Sequence, residues 1–467
     1  MSDALATSAL AALIVVPALV AAVAAIVGRR APRVVARLGT ATATAGLVIA
    51  IVNAPMAQDH LAAALLLLIF GVSSVAQGFA VRYLAGDDRA TWFTCGALLL
   101  TSAAAAMASA TTFVGLALGW TGVGLALCLL LATYRELPAA RDGVRRTVLA
   151  FAVGDGALWL AVALHEFAGE AARPVIAVLI VAAALSRSAQ IPFHRWLPAT
   201  LAAPTPVSAL LHAGVVNGGG VLLVKLSALN TALAAGIVIA AGLASMAYGA
   251  VLMLVRPDIK GALAYSTMAQ MGFMMLTCGL GLWAAAVIHL MGHGFYKATL
   301  FLSSGSAIAR HRRHHVLAPP RDPSRPRRWS IAAGAALLPP LALGIGVVLV
   351  PTWQEGHAAE LALLVFAWVT GSIALWGWLR RQPTIGGLAG AAALLVPAAI
   401  AYVAVVSVLS RYLQPALPGP GASAATVWAV IAAALIVLGA VASLRASPRL
   451  YTHALSAGTL HPTGALR

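Results

Sequence analysis

The sequence predicts an all-α, polytopic membrane helical bundle of about 13–15 transmembrane helices. Three observations predict it. Of the 467 residues, 61% are hydrophobic and only 9% are charged, whereas a soluble domain carries roughly a quarter of charged residues. Apolar runs of about 20 residues recur along the chain, each long enough to cross the hydrocarbon core as a helix. They are rich in Ala, Leu and Val and do not alternate, which argues against a β-barrel. Finally, the formal charge of +17 is sorted between alternate loops, as in a membrane protein, and is not gathered into a nucleic-acid-binding patch.

Taken in order, spans are expected at roughly 8–28, 34–53, 60–81, 91–110, 111–133, 147–166, 174–193, 206–226, 233–254, 261–280, 282–308, 330–350, 359–379, 384–410 and 424–444. The first is longer than a secretory h-region and has its basic residues after it, so it reads as a retained helix. Alternation then places Arg29, Arg30, Arg33 and Arg37 on one face of the membrane. Arg135, Arg141, Arg145 and Arg146 share that face, as do Arg256, Lys260, Arg380 and Arg381, while Arg173 and Arg411 fall on the other. The basic face should be cytoplasmic, which puts the chain in the inner (plasma) membrane with its N-terminus outside and its C-terminus inside. Cys95, Cys128 and Cys278 lie within apolar runs at spacings that suggest neither a disulfide nor a metal site, and read as buried small hydrophobes. The long polar loop 309–328, ARHRRHHVLAPPRDPSRPRR, is basic and proline-broken. It reads either as a topology-setting connection or as a docking surface for anionic lipid or a cytosolic partner.

Two places interrupt helical regularity near membrane depth. One is IPFHRWLPATLAAPTP, with Pro192, Pro198, Pro204 and Pro206; the other is Pro339–Pro340, midway through the 330–350 run. Irregular backbone at such depth needs cover from protein or a water-filled cavity, and paired broken helices are a mark of transporters built from inverted repeats. The run Asn217-Gly218-Gly219-Gly220 implies close helix packing or local unwinding.

Few ionisable groups remain inside the spans: Asp155, Arg187, Lys225, Lys297, His212, His289 and His293. Such groups are costly in a bilayer and are functional candidates by default. His289, His293 and Lys297 follow an i, i+4, i+8 spacing and stack on one helix face. The ladder can relay protons, because histidine titrates near neutral pH and a buried lysine can lose its proton. A purely structural ladder is the other reading, and a metal site lacks a nearby acidic ligand. Only three of the 30 basic residues are lysines, Lys225, Lys260 and Lys297, which suggests retention of lysine where deprotonation is needed, since arginine cannot supply it. Lys225 is either a relay group or a snorkelling side chain at a span end. His212 is either a relay group or a satisfied core histidine. Asp155 and Arg187, the one acid and the one arginine deep in spans, should pair or face one aqueous cavity.

Three stretches carry a family resemblance: SRSAQIPFHRWLPATLAAPTPVSALLHAG, DIKGALAYSTMAQMGFM and HLMGHGFYKATLFLSSGSAI. They resemble signatures of the proton-conducting membrane subunits of respiratory complex I and of Mrp-type cation/proton antiporters. GWTGVGL at 119–125 and VGD at 153–155 fall in the order that family has. The resemblance implies two inverted five-helix repeats with broken helices around a central polar axis. It divides the chain into N-terminal helices (1–85), an antiporter-like core carrying the motifs (86–310) and C-terminal helices (311–467). It matches Asp155, His212, His289, His293 and Lys297 to the family's polar positions. The sequence departs from the family where Thr121 stands in place of an acid, where Arg187 replaces a lysine that normally pairs with that acid, and around Pro339–Pro340, which has no ionisable group. HAGVVNGGG resembles one branch, the DabB-type membrane subunits of DAB inorganic-carbon accumulation complexes. That branch implies a DabA-like large cytosolic zinc partner, with a proton or sodium gradient energising CO2 hydration to bicarbonate there. The zinc and the hydration chemistry would belong to the partner, leaving this chain a transporter subunit with no cofactor of its own.

Overall fold

The computed structural model describes residues 2–28, 30–305, 325–351, 358–382 and 384–419, with scattered positions from 423 to 439. The expected span 424–444, Arg29, the loop 309–324 and the C-terminal tail therefore lie largely or wholly outside the described residues. The described residues are predominantly helical, with no strand among them. In order the helices are α1 (Ser2–Val27), α2 (Pro32–Asn53), α3 (His60–Tyr83), α4 (Ala90–Ser109), α5 (Phe113–Leu131), α6 (Pro138–Ala168), α7 (Arg173–Arg187), α8 (Thr205–Ala213) and α9 (Gly218–Lys225). They continue with α10 (Ala232–Val255), α11 (Ile259–Gly279), α12 (Trp283–Leu302), α13 (Arg325–Leu349), α14 (Ala358–Arg381) and α15 (Ile385–Leu413).

Many helix starts follow directly from the sequence. Asp59, Thr112, Thr231, Asp258 and Thr384 each accept a hydrogen bond from a backbone N–H in the first turn of the helix that follows, satisfying a donor that has no intrahelical partner. Pro32 and Pro138 open α2 and α6, where a missing N–H costs nothing. Eleven described stretches are long and apolar enough to cross a membrane. One of them holds both α6 and α7, and α11 and α12 add two further helices of similar length, in agreement with the range expected from sequence. Large apolar side chains such as Ile26, Val34, Leu118, Leu125 and Leu160 point outward, more than a third exposed. A lipid-solvated surface has that character, and a water-solvated one does not.

The centre of the bundle is the interrupted pair α8–α9, buried from Thr205 to Val224 except at Gly214, whereas α1 is mostly exposed or half-buried. One continuous core surrounds it, running from Leu61, Leu65 and Leu68 on α3 through Trp120, Phe151 and Met271 to Leu290 on α12. Helix α7 stops at Arg187, six residues short of the end expected from hydropathy: Pro192 has no N–H for the Ser188 carbonyl, and its ring would crowd that carbonyl in a continued helix. Ala189 takes a left-handed φ of 52°, and the chain crosses to α8 through a 3-10 segment, His194–Thr200. The second interruption lies at Gly214, followed by a 3-10 turn, Val215–Asn217, and helix resumes at Gly218. Both alternatives for the Asn217–Gly220 run thus hold: unwinding just ahead of it, and close packing within it. A Cβ on Gly219 would overlap Ser188 Oγ and the Ala184 carbonyl oxygen, and one on Gly218 would press on Arg187 Cγ at 3.3 Å.

The expected break at Pro339–Pro340 is absent. Helix α13 runs from Arg325 to Leu349 through both prolines. A proline removes a donor and crowds the preceding turn without forcing the chain out of helical φ, and here neighbouring helices hold the segment: Gly371 on α14 leaves the room that Pro339 occupies. The last residues of the expected 309–328 loop, from Arg325 on, already belong to this helix. Helix α6 begins nine residues earlier than expected, at Pro138, because polar residues can continue a helix beyond the hydrocarbon.

Candidate functional site

Helix α12 presents His289, His293 and Lys297 to the interior, with Lys297 fully buried and the two histidines 7% and 4% exposed. Gly294 makes this possible: a Cβ there would fall 2.6 Å from Leu68 and 2.8 Å from the Ala213 carbonyl oxygen, so α12 lies directly against the end of α8. Lys297 Nζ donates to the Leu263 carbonyl (3.3 Å) and the Ser266 hydroxyl (2.9 Å) on α11. Among the described residues no carboxylate pairs with it. Its described partners are thus two neutral acceptors on one neighbouring helix.

His212 stacks on Phe301 with ring centroids 4.2 Å apart, and its Nδ1 lies 3.2 Å from Thr267 Oγ1. The Thr267 hydroxyl donates to Leu263 O at 3.0 Å. Leu263 O thus ties His212, through Thr267, to Lys297. His212 and His293 both lie within electrostatic reach of Lys297. The His289 and His293 rings stack at 5.9 Å, and His289 is braced by Phe273 and Phe366 at 4.9 and 5.2 Å. Among the described residues neither ring nitrogen of His293 has a hydrogen-bond partner.

The second constellation is a locked ion pair. Arg187 Nη2 donates to Asp155 Oδ1 at 2.8 Å, and Nη1 to the Trp120 carbonyl at 3.0 Å. Trp120 Nε1 donates to the same Asp155 oxygen at 2.7 Å. The guanidinium also lies 4.2 Å from the ring centroids of both Trp120 and Phe151, a geometry worth more when desolvated. Of the two sequence readings, pairing is therefore the one observed. Thr121 takes no part in it and accepts from Trp159 Nε1 at 3.0 Å.

A mostly apolar cavity of about 70 Å³ adjoins the pair, walled by Leu65, Leu68, Leu210 and Leu290, with Arg187 and Asn217 among its polar edges. Asn217 spans the break, donating to Ala213 O at 2.7 Å and Leu290 O at 3.4 Å. Lys225 is not brought to the ladder. It closes α9 near the face opposite the basic one, donating to Ala110 O at 3.2 Å with Asp59 Oδ2 at 3.8 Å. Sequence reasoning passed over Ser266, Thr267 and Trp120. The adjacent hydroxyls of Ser266 and Thr267 in an apolar helix were a readable signal; the role of Trp120 depends on the turn of α5 toward α6 and was not.

Residues 110–319 match the family described as NADH:quinone oxidoreductase/Mrp antiporter, transmembrane region. The chain is 32% identical over 349 residues to the probable inorganic carbon transporter subunit DabB1 of Halothiobacillus neapolitanus, covering 67% of this chain and 62% of that one. Against the probable inorganic carbon transporter subunit DabB of Bacillus subtilis it is 37% identical over 280 residues, 55% of each chain. Against the NADH-quinone oxidoreductase subunit L of Mycobacterium tuberculosis it is 38% identical over 272 residues, 54% of this chain and 43% of that one. The chain therefore matches less than two thirds of the length of these relatives. In fold it resembles a chain of the Mrp complex from Dietzia sp. DQ12-45-1b, with a TM-score of 0.68 and 22% identity over 98% of this chain and 58% of that one. The family match over residues 110–319 and these relatives fit a multi-span, antiporter-like membrane subunit of the complex I/Mrp superfamily. Within that superfamily its sequence fits the DabB-type subunits.

Proposed function

We propose that this chain is the ion-translocating membrane subunit of an inorganic-carbon accumulation complex. It couples a proton or sodium gradient to CO2 hydration to bicarbonate on a DabA-like large cytosolic zinc partner. In this reading His289, His293 and Lys297 are the titrating relay, His212 links it to the α8–α9 break, the Asp155–Arg187 pair fixes the local charge, and Lys225 serves the opposite face. The chain carries ions and signals to the partner, and the hydration chemistry belongs to the partner. The basic face is cytoplasmic, the N-terminus is outside, and the partner docks on that basic face. The motif-bearing core is 86–310, flanked by helices 1–85 and 311–467.

The observation that carries the reading is the state of the switch positions. Thr121 has no titratable group, and Arg187 is fixed by Asp155 and the Trp120 carbonyl. Arginine does not release its proton at working pH, so ion movement falls to the Lys297 ladder. The likeness to subunits named as inorganic carbon transporter components supports the same reading. A second reading, a proton-translocating subunit of complex I, a membrane hydrogenase or an Mrp-type antiporter, is supported by the 38% identity to a subunit L. It requires a path that works without an acid at 121 and a lysine at 187. The deciding experiment is a gentle-detergent pulldown of the tagged chain from its host with zinc analysis of the eluate. One large zinc-containing cytosolic protein is the expected result. A set of flavin, iron–sulfur or antiporter subunits would overturn the carbon reading in favour of the second.

A further inference from the structure

The face that collects arginine also holds a groove well away from the ladder. It lies where α5 ends and α6 begins, has a volume of about 310 Å³, and is lined by Arg135, Arg141, Val144, Arg145, Val148 and Leu149, with Ala132 at its end. Helix α6 has 31 residues, or about 46 Å at 1.5 Å per residue, against about 30 Å of hydrocarbon. Its first turns therefore stand at headgroup depth. Arg141 and Arg145 are one turn apart on the same side, and Val148 and Leu149 follow one turn deeper, 45% and 57% exposed.

The carboxylates nearby are engaged elsewhere. Glu136 pairs with Arg89, and Asp142 pairs with Arg146 at 2.8 Å. Arg135, Arg141 and Arg145 are exposed and have no carboxylate partner among the described residues. The start of α6 has no side-chain cap, so its free N–H groups add positive potential at the same place. Three unneutralised guanidiniums thus stand directly above an apolar wall that faces the bilayer.

We propose that this groove binds an anionic phospholipid, its phosphate among Arg135, Arg141 and Arg145 and an acyl chain along Val148 and Leu149. A free phosphate would gain nothing from the apolar wall. An acidic protein segment would have to enter the hydrocarbon edge to cover it. A lipid alone matches both halves, charge above and hydrocarbon below.

Native mass spectrometry of the purified full chain in detergent tests this, with phosphatidylglycerol and phosphatidylcholine of identical acyl chains as probes. The expected result is preferential retention of one phosphatidylglycerol. Each basic residue at a membrane surface contributes about fivefold, so R135Q/R141Q/R145Q should weaken that retention by about 100-fold. V148S/L149S should weaken it as well, whereas R30Q/R33Q/R37Q, with the same loss of charge on the same face, should leave it intact. Size-exclusion profiles identical to the parent's confirm that the variants fold. Three results would each overturn the proposal: equal retention of both lipids, unchanged retention in the first triple variant, or displacement of phosphatidylglycerol by glycerol 3-phosphate at comparable concentration. Co-purification of an acidic protein that lipid does not displace would replace the lipid with a protein partner.

Discussion

Lys297 is a fully buried lysine whose only described partners are a hydroxyl and a carbonyl. If its task is to gain and lose a proton, Lys297→Arg must fail as completely as Lys297→Ala, because arginine keeps the charge and the donors but not the titration. Both variants should abolish carbon-dependent growth while the protein remains in the membrane at parental abundance. Growth of the arginine variant at near-parental rates would mean that the ladder is structural. The Asp155–Arg187 pair makes the opposite kind of demand. Breaking a buried pair by removing one partner costs about 3–5 kcal/mol, whereas an apolar replacement of both is nearly neutral. Asp155 is 20% exposed, and Arg187 keeps the Trp120 carbonyl and two aromatic faces. D155N should therefore fall at the lower end of that range, and D155L/R187M should recover most of the loss, both read as melting temperature in detergent. A double variant that melts no higher than the single one would refute the locked-pair account. These groups were legible from sequence because ionisable residues inside apolar runs are rare. What the sequence did not give is who holds them: the hydrogen bonds from Trp120 and to Ser266 depend on how α5 turns toward α6 and α11 toward α12.

At the scale of elements, the glycines of α9 decide how closely it approaches α7. A Cβ at Gly219 meets the backbone carbonyl of Ala184 as well as Ser188 Oγ. Backbone cannot rotate away as a flexible side chain can, so Gly219→Ala must push α7 and α9 apart, and overpacking of this kind costs roughly 1–3 kcal/mol. Gly236 on α10 has nothing within 4 Å of its Cβ position, and alanine there should raise stability by up to about 1 kcal/mol through helix propensity. Melting temperatures of the two variants should move in opposite directions from the parent, and movement in the same direction would refute the packing account. The prolines show why element boundaries were only partly legible. Proline restricts the residue before it and deletes one donor, but whether a helix ends depends on what else the chain can do there. Around Pro192 a 3-10 segment was available, with Trp196 Nε1 donating to Ser186 O at 2.9 Å. Around Pro339–Pro340 the packing of α14 and α15 favours continuing the helix.

For the whole molecule, function depends on which face meets the cytosol. On the basic face Arg135, Arg141 and Arg145 have no acidic partner among the described residues, beside the pairs Arg89–Glu136 and Arg146–Asp142; on the other face Arg173 is paired with Glu170 at 3.1 Å and Lys225 lies beside Asp59. The count of basic residues in the short loops is what sets orientation, and it favours this face. The basic face is therefore expected inside, together with the α3–α4 loop, and the α6–α7 loop outside. Asp88 and Glu170 are exposed positions in those two loops. In a chain with Cys95, Cys128 and Cys278 replaced by alanine, Glu170→Cys should react with a membrane-impermeant maleimide added to intact cells. Asp88→Cys should react only after permeabilisation. The reverse pattern would turn the bundle over. It would place the ladder's lysine end, the Lys260 end of α11 and the phospholipid groove on the outer side, where no cytosolic zinc partner could reach them. The carbon-accumulation reading would then fail, even with a working ion path.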